Sequence, residues 1–177
     1  FREVHCMEKK VTSQSGGQVT DRNARYMEVI RKLNKLKGLC NGDVDGYKRR
    51  AVDFPSLMLQ GGLEMALIFY LSKSSEKDLL SFFKYWKTGE VAGKEDMCKE
   101  VGKGSKSGYS SFTATVLYIL SKDIPECDLE SGKVTDAVIS CLDKVSKDEI
   151  RVEKRLTPTL VKIKGLTEII APGDRSE

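Results

Sequence analysis

The stretch from Phe54 to Lys73, FPSLMLQGGLEMALIFYLSK, constrains the fold more than any other, because it is apolar on every face of a helix. Phe54, Leu57, Met58, Met65, Ile68 and Phe69 fall on one side, and Leu59, Leu63, Ala66, Leu67 and Tyr70 on the other. A helix of that kind is covered by protein all round or by lipid. A bilayer span needs about 20 apolar residues, and a carboxylate at its centre costs about 2.5–3.5 kcal/mol. Gln60, Glu64 and Gly61-Gly62 interrupt the stretch, and no second hydrophobic segment shelters them. The sequence therefore predicts a buried core helix rather than a membrane span. Pro55 suits a first helical turn, where its missing N–H is no loss. Each of the two glycines costs roughly 1 kcal/mol in a helix interior. Either a second helix approaches the bare backbone closely or the helix breaks there; one helix, bent at the glycines, is the expectation.

The remaining segments repeat at helical spacing. Tyr26, Val29, Ile30, Leu33 and Leu36 follow Thr20 as a cap and precede Gly38 as a stop. Ser75-Glu76-Lys77-Asp78 resembles a capping box ahead of a stripe of Leu79, Phe82, Phe83 and Trp86. Tyr109, Phe112, Val116, Ile119 and Leu120 form another face, and Val134, Ala137, Val138, Cys141, Leu142 and Val145 a further one. Thr157-Pro158 reads as the start of a last helix carrying Leu160, Ile163, Leu166, Ile169 and Ile170. A short helix fits around Asp96 to Val101. No stretch alternates for long enough to be a strand. The predicted fold is all-α, a compact bundle of five to six helices around a buried central helix, the one from Phe54. Residues 1–19 read as a flexible leader with Met7 a candidate start, 20–171 as a single helical domain, and 172–177 as a disordered tail.

Two loops carry partial motifs. Asn41, Asp43, Asp45 and Gly46 match the opening of a calcium loop, but its twelfth position, where a bidentate Glu belongs, is Val52. GKGSKSG (Gly102 to Gly108) lacks the P-loop spacing and has no strand before it, so it reads as a mobile basic loop. The five cysteines are scattered without a CxxC pair, and the only histidine, His5, lies in the leader beside Cys6. Neither a metal site nor a cofactor is expected, and reduced thiols in a cytosol are the default. A nucleophile would also lack a histidine base, so no catalytic residues are assigned.

Charge is more informative. The chain's net charge is +4, and Lys144 to Lys164 alone holds seven basic residues against three acidic ones, an excess equal to the whole chain's. A second cluster is Lys48-Arg49-Arg50. Such patches suit phosphate backbones, although a solvated helix face has the same composition. From the residues alone the chain is a basic helical module, with nucleic acid ahead of acidic protein as its partner.

The segment Tyr47-Lys48-Arg49-Arg50, followed by Pro55, Gly62-Leu63, Leu67, Phe69-Tyr70 and Ser72-Lys73, resembles the small α-helical (fifth) subunit of the Cmr-type, type III-B CRISPR effector complex. The likeness extends over roughly Thr20 to Ala171, with Thr157 and Leu160 before a final helix, and departs in the leader, the Gly89–Gly108 loop and a last helix without aromatic residues. It implies a cytoplasmic, non-catalytic subunit working with the other effector subunits, guide RNA and target RNA. Copies of itself would stack beside the target strand through phosphate contacts, in antiviral defence. The candidate RNA-contacting residues are Lys48, Arg49, Arg50, Lys73, Lys154, Arg155, Lys162 and Lys164. The rival classes are a stand-alone helical DNA-binding regulator and a metal-dependent ribonuclease. The first needs an exposed polar recognition helix, and the segment after Gly38 is too apolar to be one.

Overall fold

The structure, a computed structural model, describes residues 16–172, and all its regular structure is helical. The expectations for His5, Cys6, Met7 and the residues after Pro172 lie outside the described residues. The helices are α1 (Gly16–Leu39), α2 (Asp45–Gly61), α3 (Leu63–Leu71), α4 (Glu76–Thr88), α5 (Lys94–Val101), α6 (Tyr109–Ser121), α7 (Val134–Lys147) and α8 (Glu149–Ile170), with a 3-10 turn at Pro125–Cys127. That exceeds the five or six expected, and α1 starts ahead of Thr20.

The helix at the centre is α6, not the stretch from Phe54. Every side chain from Ser110 to Leu120 is buried. Its hydroxyls explain how a helix rich in Ser and Thr tolerates this. Thr113 Oγ1 donates to the Tyr109 carbonyl (2.6 Å), and Thr115 Oγ1 donates to the Ser111 carbonyl (3.1 Å). Neighbouring elements use the rest: Trp86 Nε1 donates to the Ser111 carbonyl (3.2 Å), and the Ser75 N–H donates to Ser110 Oγ (3.0 Å). Small side chains let α4 lie close along α6. Ser75 caps α4 as expected, its Oγ accepting from the Asp78 N–H at 3.1 Å, but the reciprocal half of a capping box is absent because the Ser75 N–H goes to Ser110. Leu79, Phe82, Phe83 and Trp86 are all buried against α6 and its neighbours.

The expected single helix from Phe54 is instead the end of α2 and the whole of α3, divided at Gly62. There φ is +87° and ψ is 164°, a conformation open to glycine alone. The break is held by α8. Glu153 Oε1 accepts from the Leu63 N–H at 2.6 Å, and Glu149 Oε1 accepts from the Glu64 N–H at 2.9 Å. Two carboxylates thus satisfy the orphan donors at the start of α3, where the helix dipole also favours negative charge. Half of the apolar surface goes inward, through Leu63, Ala66, Leu67 and Tyr70. The other half stays outside: Leu59 is 79% exposed, Met65 60%, Ile68 42% and Phe69 44%.

Pro55 and Pro158 lie inside helices rather than in first turns. Because α2 starts at Asp45, Pro55 is interior, and the Tyr70 hydroxyl donates to the Arg50 carbonyl (3.1 Å) a turn before it. Because α8 starts at Glu149, Thr157-Pro158 is not a start signal; Thr157 Oγ1 donates to the Glu153 carbonyl at 2.7 Å. A proline removes one i→i−4 bond, a loss set against the packing of α8 on α1 and α2 and of α2 on α3, α6 and α8.

The four cysteines among the described residues are not reduced as expected. Cys40 pairs with Cys98, joining the end of α1 to α5 across 58 residues, and Cys127 pairs with Cys141 across 14. On loop-closure grounds the two cross-links contribute about 4 and about 3 kcal/mol. Cys40→Ser with Cys98→Ser should therefore lower the urea-unfolding free energy more than the Cys127, Cys141 pair of substitutions does; equal or negligible losses would contradict the pairing. At the helix break, Gly62→Ala should cost about 2–3 kcal/mol, since its Cβ would stand 2.6 Å from Glu149 Oε1 at a positive φ. Gly61→Ala, whose Cβ would meet only Met65 at 3.6 Å, should be neutral or stabilise by up to about 1 kcal/mol. Equal effects of the two in denaturant titrations would mean the break is not fixed at Gly62.

Candidate nucleic-acid interface

The first basic cluster lies on the opening turns of α2, and residues 102–108 run alongside it. Three glycines allow the approach. A Cβ on Gly46 would stand 2.5 Å from the Gly102 carbonyl oxygen, and one on Gly108 would stand 2.1 Å from the Gly46 carbonyl oxygen. A Cβ on Gly102 would meet Asp43 Oδ2 at 2.9 Å. The loop is tied down rather than mobile. The Lys103 N–H donates to Asp43 Oδ2 (2.9 Å), and Ser107 Oγ donates to the Gly102 carbonyl (2.6 Å). The acidic loop ahead of α2 thus works as a turn and tether: Asp43 Oδ1 also accepts from the Asp45 N–H at 3.3 Å. Among the described residues no group of three or more His, Cys, Asp or Glu is placed to hold a metal ion.

The candidate cations divide by what they touch. Arg50 faces inward: Nε donates to the Ser107 carbonyl (3.2 Å) and Nη2 to the Ser105 carbonyl (2.8 Å). Its guanidinium carbon stands 3.8 Å from the centre of the Tyr109 ring, Asp53 pairs with it at 3.6 Å, and the side chain is 11% exposed. Arg49 is exposed and donates to the Gly104 carbonyl. Lys48, Lys73 and Lys106 have no carboxylate partner among the described residues, and Lys103 is drawn only to Asp45, at 3.7 Å, with 73% of its side chain exposed. A depression of about 420 Å³ separates Lys48 and Arg49 from Lys103, and another of about 440 Å³ separates Lys73 from Lys106. Ser105 borders both, so Lys48, Arg49, Lys73, Lys103 and Lys106 surround one short loop. Lys103 and Lys106 were visible in the sequence only as part of a basic loop; nothing local links them to α2.

The second group lies on α8 and lines none of these depressions. Arg155 borders a separate cleft against α1, α6 and α7, and Lys162 stands 4.8 Å over the Tyr26 ring of α1. Lys154 is exposed and Lys164 is half-buried. At 3.6 residues per turn Arg155 and Lys162 share a face, whereas Lys154 and Lys164 are rotated away from it.

A helical chain with a basic face built on a tethered loop falls within the class of CRISPR-associated proteins, since a family model so described matches residues 20–121, from α1 to the end of α6. The chain belongs to the Cas_Cmr5 family, the small subunit of type III-B CRISPR systems. No curated protein and no solved structure matches it. No described helix is long and apolar enough to cross a membrane.

Glu100 joins the loop to the core. Its Oε1 accepts from the N–H groups of Ser110 (2.8 Å) and Ser111 (3.3 Å) at the start of α6. Burial pushes its carboxyl up from 4.5 to about 7, with Asp78 adding repulsion, against the opposing pull of those N–H donors. A carboxyl whose pKa is higher folded than unfolded stabilises below the unfolded value and loses that contribution as pH rises through the folded one. Stability should then fall between about pH 4.5 and pH 7, by at most about 3 kcal/mol. Glu100→Gln keeps an acceptor for Ser110 and should flatten that fall in melts run from pH 4 to 8. An unchanged slope in the variant would assign the pH dependence elsewhere.

Proposed function

We propose that this chain is a non-catalytic small subunit of a type III-B effector in the cytoplasm, and that it contacts the phosphates of guide or target RNA through Lys48, Arg49, Lys73, Lys103 and Lys106. The observation that carries this reading is the convergence on one tethered loop of Lys48, Lys73 and Lys106, which have no carboxylate partner among the described residues, and of exposed Lys103, drawn only to Asp45, in a chain of this family. Phosphate contacts need positive charge at fixed spacing and no base-edge chemistry. Arg50 belongs to the loop's scaffold, so its part in the proposal is to hold the lysines in place. On α8, Lys154 and Lys162 add exposed positive charge, while Arg155 borders the neighbouring cleft and half-buried Lys164 lies on another side of the helix.

Stacked copies would join these surfaces. If the α8 face of one copy adjoins the α2 face of the next, two separate patches become a continuous track, and a heterologous contact of this kind propagates without closing. Each contact need only be weak, because a bound strand and partner subunits raise the effective concentration. The test is binding of fluorescent single-stranded RNAs of unrelated sequence across a salt series. Reversing Lys48, Lys73 and Lys106 to Glu should weaken all of them alike and reduce the salt slope by about 0.7 for each lost phosphate contact. A strong preference for one sequence, or an unchanged slope, would sink the proposal.

A further inference from the structure

A cleft of about 220 Å³ between α1, α6, α7 and α8 shares no lining residue with the loop surface. Its floor is aliphatic, made by Ile119, Leu120, Ile124, Val152 and Leu156. Its rim carries Arg25, Lys144, Arg151 and Arg155 against Asp123 and Asp148, with Glu126 paired to Lys144, so the described residues leave one positive charge in excess. Arg25 pairs with Asp123 at 3.1 Å and Arg151 with Asp148 at 3.3 Å. Lys144 reaches Glu126 at 3.1 Å, and Arg155 is exposed with no carboxylate partner among the described residues.

Floor and rim ask for different chemistry. A nucleobase would find no aromatic ring to stack on, and its polar edges would be buried against Ile and Leu side chains without partners. A Leu or Ile side chain would fill the same floor and leave nothing unsatisfied. Arg155, exposed and without a carboxylate partner among the described residues, offers a carboxylate two-pronged geometry at the edge of the cleft, so binding need not strip it of water. From this complementarity we infer that the cleft docks an acidic segment of a partner protein, one aliphatic side chain seated on the floor and flanking carboxylates on the rim. The inference does not depend on RNA binding at the loop.

The test is a methyl-NMR titration of the full chain with the acetylated peptide Ser-Asp-Glu-Leu-Leu-Asp-Glu-Ser, taken to about 1 mM. Saturable shifts at Ile119, Ile124 and Val152 are expected. Changing both peptide leucines to serine should weaken binding at least roughly tenfold, and so should Arg155→Glu or Lys144→Glu in the protein. Both protein positions are exposed, and unchanged circular dichroism would exclude misfolding. No saturable shift, or shifts indifferent to the leucines, would overturn the inference. So would tighter occupation of the cleft by oligouridylate. Concentration-dependent shifts at the same methyls without peptide would make the occupant a second copy, whose α7 presents Ile139 between Asp136 and Asp143, and would equally overturn it.

Discussion

The meeting of two bare backbones at Gly46 and Gly108 sets the rest of this structure. Gly46 is in the first turn of α2 and Gly108 immediately precedes α6, and a methyl group on either would strike the other segment. At that spacing the next side chains interlock. Tyr47 meets the edge of Phe112 with ring centres 5.5 Å apart and lies 5.8 Å from Trp86, while its hydroxyl pairs with Thr115 Oγ1 at 3.1 Å. Phe54 packs on both Phe112 and Tyr70. Edge-to-face pairs at these distances add to the burial of the rings themselves. The same approach lays residues 102–108 against Arg49 and Arg50. Core packing and the basic surface are two results of one contact.

Within that surface, arginine and lysine do different work. The fork of the Arg50 guanidinium bonds two loop carbonyls and stacks on Tyr109 at once, which a lysine's compact ammonium would not do. The lysines around it lack such fixed partners and keep their charge outward. The lysines therefore surround a loop that other groups already hold in place, through Arg50, Asp43 and Ser107.

The sequence made the helical class legible, and with it α4, α6 and α7, because each presents one apolar face at the right period and α4 has its cap. It did not show which helix is central. Periodicity reports apolar faces, not what covers them, and α6 hid its burial behind serines and threonines that bond to their own backbone. The break at Gly62 was chemically ambiguous for a related reason. Two adjacent glycines suit close helix packing as well as a break, and the residues that decide between them, Glu149 and Glu153, are 85 and 90 positions from the N–H groups they accept. The disulfides were hidden likewise, since scattered cysteines carry no pairing information. The basic cluster on α2 was visible as charge; that Arg50 turns inward and that Lys103 and Lys106 join the others is a property of the tertiary fold.

The family match ends with α6, yet the two helices beyond it are not an appendage. Leu63 is fully buried, and without α8 its N–H and that of Glu64 would lose their acceptors. Helix α8 also packs along α1 and α2, covering the side opposite its own exposed cations. Its inward residues, Glu149, Glu153, Leu156, Leu160 and Ile163, are therefore bound to the shape of the first six helices. Its outward residues are under no such constraint. Charge on the exposed side of α8 can therefore change without disturbing the carboxylates that hold α3, so one helix carries a structural face and a face free of packing constraints.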